Sequence, residues 1–295
     1  MSGFGNGPLL IAALRLLPKN ALSRLAGRFV SIRWPGPLQR LQIRAFAGVF
    51  GVELDEVKDP IDSFACLQDF FVRELVDGAR PLPQDPEIFV SPCDGAWGES
   101  GRVEKGMLLQ VKGRPYALAS LLGDEAAAEL YEGGWFATIY LSPSDYHRFH
   151  SPCDARVNRL RYVPGNLWPV NRAGVEGVDS LFAENERICA FFDLVGAGGE
   201  ESLCIVAVGA TLVGKVKVDF DALTTNVPGA VACERDFRDR EVVLARGQQW
   251  GRFEFGSTLV LVGRPGAFAL ETRPPGTPVR LGEAIGRCPG EAGSA

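Results

Sequence analysis

The chain has 295 residues, 46% of them hydrophobic, which is enough for a sizeable core in one large domain or two small ones and excludes a disordered polypeptide. Its net charge of -5 hides a division: residues 1–52 hold seven basic side chains (Arg15, Lys19, Arg24, Arg28, Arg33, Arg40 and Arg44) and no acidic one, leaving 24 basic against 36 acidic in residues 53–295. The acidic body excludes a general nucleic-acid binder, whereas a basic, apolar arm suits an anionic lipid surface.

At the start of the chain no run reaches the roughly 20 uninterrupted apolar residues of a membrane-spanning helix, and the best, Leu9 to Leu17, contains Arg15. That run has neither a charged leader nor a small-residue cleavage site, so we expect no secretory signal and a peripheral protein on the cytoplasmic face of the cell membrane. Residues 9–33 are predicted as one or two amphipathic helices. Leu10, Leu14 and Leu17 share a face, Pro18 interrupts, and Leu22, Leu25 and Phe29 resume at helical spacing among Arg24 and Arg28. Bare basic charge favours the membrane interface for these helices, with packing on the body as the alternative. Trp34, Pro35, Gly36 and Pro37 end them. A third helix is predicted over Leu38 to Val52, and a fourth from Ser63, burying Phe64, Leu67, Phe70, Phe71 and Leu75.

From about residue 87 the pattern changes to short β-type runs broken by Gly and Pro, such as Trp135 to Leu141, Leu203 to Val208 and Thr258 to Val262. One helix, Leu118 to Tyr131, is predicted to stop at Gly133 and Gly134. The expected fold class is α+β: a β-rich body, sandwich or barrel-like and partly closed, with helices at one end. Residues 1–52 form a basic helical membrane-association region and 53–295 the body. Ser91-Pro-Cys-Asp-Gly95 and Ser151-Pro-Cys-Asp-Ala155 read as one strand-entry turn used twice. Either this is a common turn preference, or the scaffold is internally duplicated and brings both turns to one site.

The chain has two histidines, both within Ser142 to His150, so its imidazole chemistry is concentrated in one place. Ser142 before Pro143, with Asp145 three positions on, predicts a capped helix start that sets His147 and His150 about one turn apart on one face. They are either structural hydrogen-bonding residues or a reactive pair beside Asp145. Zinc would require a third ligand at short spacing, and the sequence has no such cluster, so no metal is expected. The seven cysteines (Cys66, Cys93, Cys153, Cys189, Cys204, Cys233 and Cys288) are scattered without a C-x-x-C pair, which predicts reduced thiols. Asp94 sits in a turn, either as an ordinary Asx-turn residue or as the carboxylate that orients a histidine. Gly256-Ser257-Thr258 opens an apolar strand. It is either one more turn or a peptide whose missing Cβ lets the Ser257 hydroxyl approach the preceding carbonyl, with an oriented histidine taking the proton.

Seven segments together resemble the phosphatidylserine decarboxylase family from the N-terminal helices to about residue 285. They are Phe70-Phe-Val-Arg73, Pro92-Cys-Asp-Gly95, Tyr140-Leu-Ser-Pro-Ser-Asp-Tyr-His-Arg-Phe-His-Ser-Pro152, Tyr162-Val-Pro-Gly165, Asn185-Glu-Arg187, Val208-Gly-Ala-Thr211 and Gly251-Arg-Phe-Glu-Phe-Gly-Ser-Thr258. The resemblance implies a proenzyme that cuts itself between Gly256 and Ser257 into a β chain (1–256) and an α chain (257–295), the latter beginning with a pyruvoyl group made from Ser257. It implies Asp94, His150 and Ser257 as the self-cleavage triad, Asp145 as an auxiliary carboxylate and His147 as the residue of the decarboxylation step. It further implies a Schiff base between the pyruvoyl group and phosphatidylserine, release of carbon dioxide and phosphatidylethanolamine, an anionic membrane surface as partner, and a homodimer. Phe255 departs from the family pattern, which has leucine before the Gly-Ser pair. Both residues are apolar and cleavage is expected to survive. Two other readings share these residues: a pyruvoyl decarboxylase of a soluble amino acid, and a serine hydrolase built on Asp94, His150 and Ser257.

Overall fold

The computed structural model describes residues 18–110, 113–196, 199–211, 215–254 and 257–289, with Ser257 described in its backbone alone. The apolar run of residues 9–17, together with Phe255 and Gly256, lies outside the described residues.

Among the described residues three helices come first: α1 (Lys19–Val30), α2 (Gly36–Phe50) and α3 (Leu67–Phe71). Pro18 and Pro35 stand at the N-caps of α1 and α2, where a missing N–H and a fixed φ do no harm, so the prolines that end one segment also start the next. The fourth helix expected from Ser63 is reduced to α3, and Leu75 instead makes a bridge with Val57. Ile43, Ala47, Val52, Leu67 and Phe70 close a small core between these helices. Helix α1 is turned against the usual rule: Lys19, Ser23 and Val30 are buried, while Leu25 is 61% and Phe29 56% exposed. On α2, Leu38, Leu41, Val49 and Phe50 are exposed as well. Among the described residues no helix is long and apolar enough to cross a membrane.

The strands are, in chain order, β1 (Ile88–Val90), β2 (Gly95–Arg102), β3 (Met107–Gln110), β4 (Arg114–Ala117), β5 (Trp135–Leu141), β6 (Arg148–His150), β7 (Ala155–Val163), β8 (Arg187–Leu194) and β9 (Leu203–Val208). They continue with β10 (Val216–Val218), β11 (Cys233–Asp236), β12 (Val243–Leu244), β13 (Gln249–Phe253), β14 (Ser257–Gly263), β15 (Ala269–Leu270), β16 (Pro278–Val279) and β17 (Ala284–Arg287). Among the described residues the main sheet has the order β11-β7-β8-β9-β14-β5-β2-β16, with β12 beside β11 on the same flank of β7, and its pairs are antiparallel. The sheet stays open, so the barrel-like closure expected from the sequence is not formed. Its edge strands are short, four residues in β11 and two each in β12 and β16, and β16 starts with proline, which leaves little ladder to close.

Both faces of this sheet are covered, which is why its central strands read as continuous apolar runs instead of alternating ones. Leu203, Ile205, Ala207, Leu259 and Leu261 face the small sheets β1-β17-β15 and β10-β13-β6, completing a sandwich. Cys204, Val206, Val208, Val260 and Val262 face the helices α4 (Leu118–Leu122), α5 (Glu125–Glu129), α6 (Arg172–Gly177) and α7 (Leu181–Glu184). The single helix predicted over Leu118 to Tyr131 is two helices. Gly123, at φ 63°, caps α4, and the Asp124 carboxylate then accepts the Ala127 N–H to start α5.

The two Ser-Pro-Cys-Asp turns face each other and make the same bonds. Ser91 Oγ donates to Cys93 O (2.7 Å) and Ser151 Oγ to Cys153 O (2.6 Å), while Val90 N donates to Pro152 O (3.0 Å) and His150 N to Pro92 O (2.8 Å). Asp94 accepts the Leu281 N–H and Asp154 the Arg246 N–H; one residue later Gly282 and Gly247, at φ 82° and 79°, donate to Ser91 O and Ser151 O. The strand runs β16-β2-β5-β14 and β12-β7-β8-β9 repeat one plan outward from the central β9–β14 pair. The scaffold is duplicated, but its chemistry is not: Val90 occupies in one half the place that His150 holds in the other.

Candidate active site

Strand pairing brings the two ends of the Phe255-Gly256 segment to the histidines. Before it, β13 pairs with β6, placing Gln249 opposite His150 and Arg252 opposite Arg148, and Phe253 N donates to His147 O (2.9 Å). After it, Ser257 opens β14 opposite Leu141, the residue at which β5 runs into the histidine-bearing turn. The Gln68 side chain on α3 holds the Glu254 carbonyl at 2.7 Å.

Residues 142–147 form a turn and not the helix that the sequence predicts. The capping half of the pattern is present, since Ser142 N donates to Asp145 Oδ2 at 2.6 Å and Asp145 N to Ser142 O at 3.0 Å. No helix follows because Arg148–His150 is taken up by pairing with β13, a partner about a hundred residues away in sequence. His147 and His150 therefore lie in extended chain, not one turn apart on a helix.

Each imidazole is nevertheless set in the same way. His147 Nδ1 meets the Asp145 carbonyl at 2.8 Å and His150 Nδ1 meets the Gly247 carbonyl at 2.9 Å, so the proton sits on Nδ1 in both. Both Nε2 atoms are buried and have no hydrogen-bond partner among the described residues. Burial, then the Arg73 charge, lowers the His147 pKa to about 3, and burial, then Arg148, lowers that of His150. Two neutral imidazoles with a free Nε2 lone pair are two candidate general bases.

Asp94 is held differently from the expected triad. Its carboxylate accepts Arg80 Nε (2.9 Å), Arg80 Nη2 (2.6 Å) and the Leu281 N–H (2.8 Å), and Arg80 also reaches Glu56 at 2.7 Å. Asp94 thus acts on His150 through its charge, which favours the imidazolium, and the hydrogen bond that orients the ring comes from Gly247. Burial, with the Asp94 charge behind it, raises the Asp145 pKa. His150 lines a cavity of ≈ 330 Å³, and Asp94 and Asp145 line another of ≈ 240 Å³; Arg80 and Tyr146 border both.

Residues the sequence did not single out by role complete the site. Arg73, buried, donates Nη2 to the carbonyls of Ser144 (2.8 Å) and Asp145 (3.2 Å) and so braces the turn, while the Phe71 ring lies 3.9 Å from that of His147. Both belong to the Phe70-Phe-Val-Arg73 segment, which was the signal available. Gly247 acts through its carbonyl, which no residue type announces.

The family model described as phosphatidylserine decarboxylase matches residues 67–287, and a second, described as PSD, matches residues 9–51. A phosphatidylserine decarboxylase proenzyme of Anaeromyxobacter sp. (strain K) is 46% identical over 285 residues, covering 95% of this chain and 99% of the relative. The proteins of the same name from Acidovorax ebreus (strain TPSY) and Aliivibrio fischeri (strain ATCC 700601 / ES114) are 44% and 38% identical, covering 92% and 93% of this chain and 95% and 96% of theirs. The chain belongs to the phosphatidylserine decarboxylase family.

Proposed function

We propose that this chain is a proenzyme that cuts itself between Gly256 and Ser257 and then decarboxylates phosphatidylserine to phosphatidylethanolamine. The relatives whose names state that substrate and a proenzyme state are matched over nearly their whole length. The observation that carries the reading is the register around residues 255–256: β13 delivers their start to His147 and β14 delivers Ser257 to the end of β5, from which runs the turn carrying two buried imidazoles whose Nε2 atoms have no partner among the described residues.

In this reading His150 Nε2 takes the Ser257 hydroxyl proton, its ring held by Gly247 and the imidazolium favoured by Asp94. The Ser257 oxygen attacks the Gly256 carbonyl and the amide becomes an ester. Loss of the Ser257 Cα proton expels residues 1–256 as a carboxylate, and the dehydroalanine left at 257 takes up water and releases ammonia to give a pyruvoyl group. That ketone supplies an electron sink for breaking the substrate's carboxyl bond, so no external cofactor is required. His147, neutral and without a proton on Nε2, is suited to accept and return a proton rather than to hold a carboxylate by charge. Asp145 fixes the turn that carries it. The outward apolar faces of α1 and α2, flanked by Arg28, Arg33 and Arg44, dock the body on an anionic bilayer, with residues 1–52 as the docking region and 53–295 as the catalytic body.

Intact mass of the purified protein, followed by an assay on phosphatidylserine vesicles, tests the proposal. The expected result is two pieces divided at 256/257, the smaller blocked at its N-terminus, with phosphatidylethanolamine as product, and one uncut, inactive chain for Ser257→Ala. A wild-type chain that stays whole with an ordinary serine at 257 overturns self-cleavage and favours a hydrolase. A cut chain that decarboxylates only free amino acids overturns the substrate.

A further inference from the structure

Arg73 is 4% exposed and follows α3, where its N–H still closes on Phe70 O at 3.1 Å. Among the described residues its Nη2 has partners, the carbonyls of Ser144 (2.8 Å) and Asp145 (3.2 Å), while Nε and Nη1 are buried without one. A buried charge so incompletely paired is expensive, and a neutral amide could brace the same two carbonyls. What the guanidinium adds is its charge: burial lowers its pKa, yet an arginine stays protonated. The Asp145 carbonyl that it holds is the one that also accepts His147 Nδ1–H, at 2.8 Å. With both lone pairs of that oxygen in use, the ring is anchored at Nδ1 and presents Nε2 as a bare lone pair.

We propose that Arg73 is the positioning residue of the decarboxylation step, holding the His147 ring through the carbonyl they share and opposing a second positive charge at Nε2. The proposal rests on the role given to His147 above. Protonating the ring would set two cations in one water-poor site, and after burial it is the Arg73 charge that lowers the His147 pKa. Charged groups on the neighbouring elements are engaged elsewhere. The Asp145 carboxylate, on the ring's own turn, accepts Ser142 N (2.6 Å), and Asp94, before β2, is held by Arg80. Glu254, just after β13, pairs with Lys217, and α3 presents the uncharged Phe71 ring, 3.9 Å away. His147 is thereby kept free to take a proton from the reaction and give it back. His150 is set differently, since its Nδ1 is bound to the Gly247 carbonyl, which no arginine shares among the described residues.

The chain has two histidines, so isotope labelling of histidine gives two rings to follow by NMR. In the uncut Ser257→Ala chain both should show Nδ1 protonated and Nε2 bare, and His147 should stay so down to about pH 4.5. Adding Arg73→Gln should make His147 take up a proton above that pH and leave His150 as it was. Arg73→Lys, which keeps the charge, should hold His147 neutral. None of these results depends on cleavage or on substrate. A His147 that is protonated at Nε2 with Arg73 in place overturns the proposal even if the variants do not fold, and so does a folded Arg73→Gln chain whose His147 is unchanged. In cut protein, Arg73→Gln should lower kcat per pyruvoyl group on phosphatidylserine vesicles at least about tenfold, with KM within about twofold. An altered ring with kcat intact overturns the part given to Arg73 in decarboxylation. A wild-type chain that is never cut, with the ring altered by Arg73→Gln, overturns the decarboxylase reading instead and keeps Arg73 as the residue that sets His147.

Discussion

His147 is fully buried, with the Phe71 ring 3.9 Å away and Nδ1 bound to the Asp145 carbonyl, and its pKa is lowered from 6.5 to about 3. The unfolded chain gains a proton at this ring as the pH drops through 6.5, whereas the folded chain does not until far lower. Stability is therefore full above pH 6.5 and declines from there towards 3. Between about pH 7.5 and 5.5, above the range of ordinary carboxylates, this group alone costs about 1 kcal/mol, and His150, shifted the same way, adds to the decline. Urea midpoints of the uncut Ser257→Ala chain should fall over that interval, and less steeply when His147→Gln is added; an identical slope in both means that His147 is protonated in the fold. The two histidines were legible as candidates because the chain has no others. Their set-up was not, because it depends on carbonyls of Asp145 and Gly247, and a backbone oxygen leaves no mark in the sequence. Asp94 was legible as a site carboxylate, yet Arg80 and the Leu281 N–H, which engage it, come from segments with no local sign of meeting it.

At the scale of elements, local pattern succeeded where the element is decided locally and failed where a distant partner decides. Helices α1 and α2 follow their apolar spacing and their prolines, and β9 and β14 follow their apolar runs. The turn at 142–147 carries a helix-start signal that strand pairing with β13 overrides, and the break at Gly123 and Asp124 went unread although both residue types announce it. Helix α1 also shows what periodicity leaves open: it fixes which residues share a face but not whether that face turns inward. Here Leu25 and Phe29 turn outward, while Asn20 Nδ2 bonds Gly165 O (3.0 Å) and Lys19 lies over the Trp168 ring, so the opposite side of the helix meets the body. Burying two large apolar side chains in a bilayer interface contributes on the order of 3 kcal/mol. Leu25→Glu with Phe29→Glu should therefore weaken binding to anionic vesicles at least about tenfold and leave self-cleavage intact. Unchanged sedimentation with such vesicles removes these side chains from the docking surface.

For the whole molecule the consequence lies in where the proposed cut falls. Ser257 begins β14, the strand at which the two halves of the duplicated sheet join, paired along its length with β5 on one side and β9 on the other and buried on both faces. The same piece carries β16 and β17, which seat against β2 and β1, and the Leu281 N–H bound by Asp94. Removing it would expose both flanks of the main sheet's centre, so the two pieces should travel as one species under native conditions. Unfolding, however, must then release two chains instead of one. With dithiothreitol present, the processed protein should show a denaturation midpoint that rises with protein concentration, by about 1.4 kcal/mol of apparent stability for each tenfold increase, whereas the uncut Ser257→Ala chain should show none. A processed sample with a concentration-independent midpoint would mean that residues 257–289 stay associated with the rest of the chain after the sheet is lost, contrary to a fold in which β14 is held by its neighbours alone.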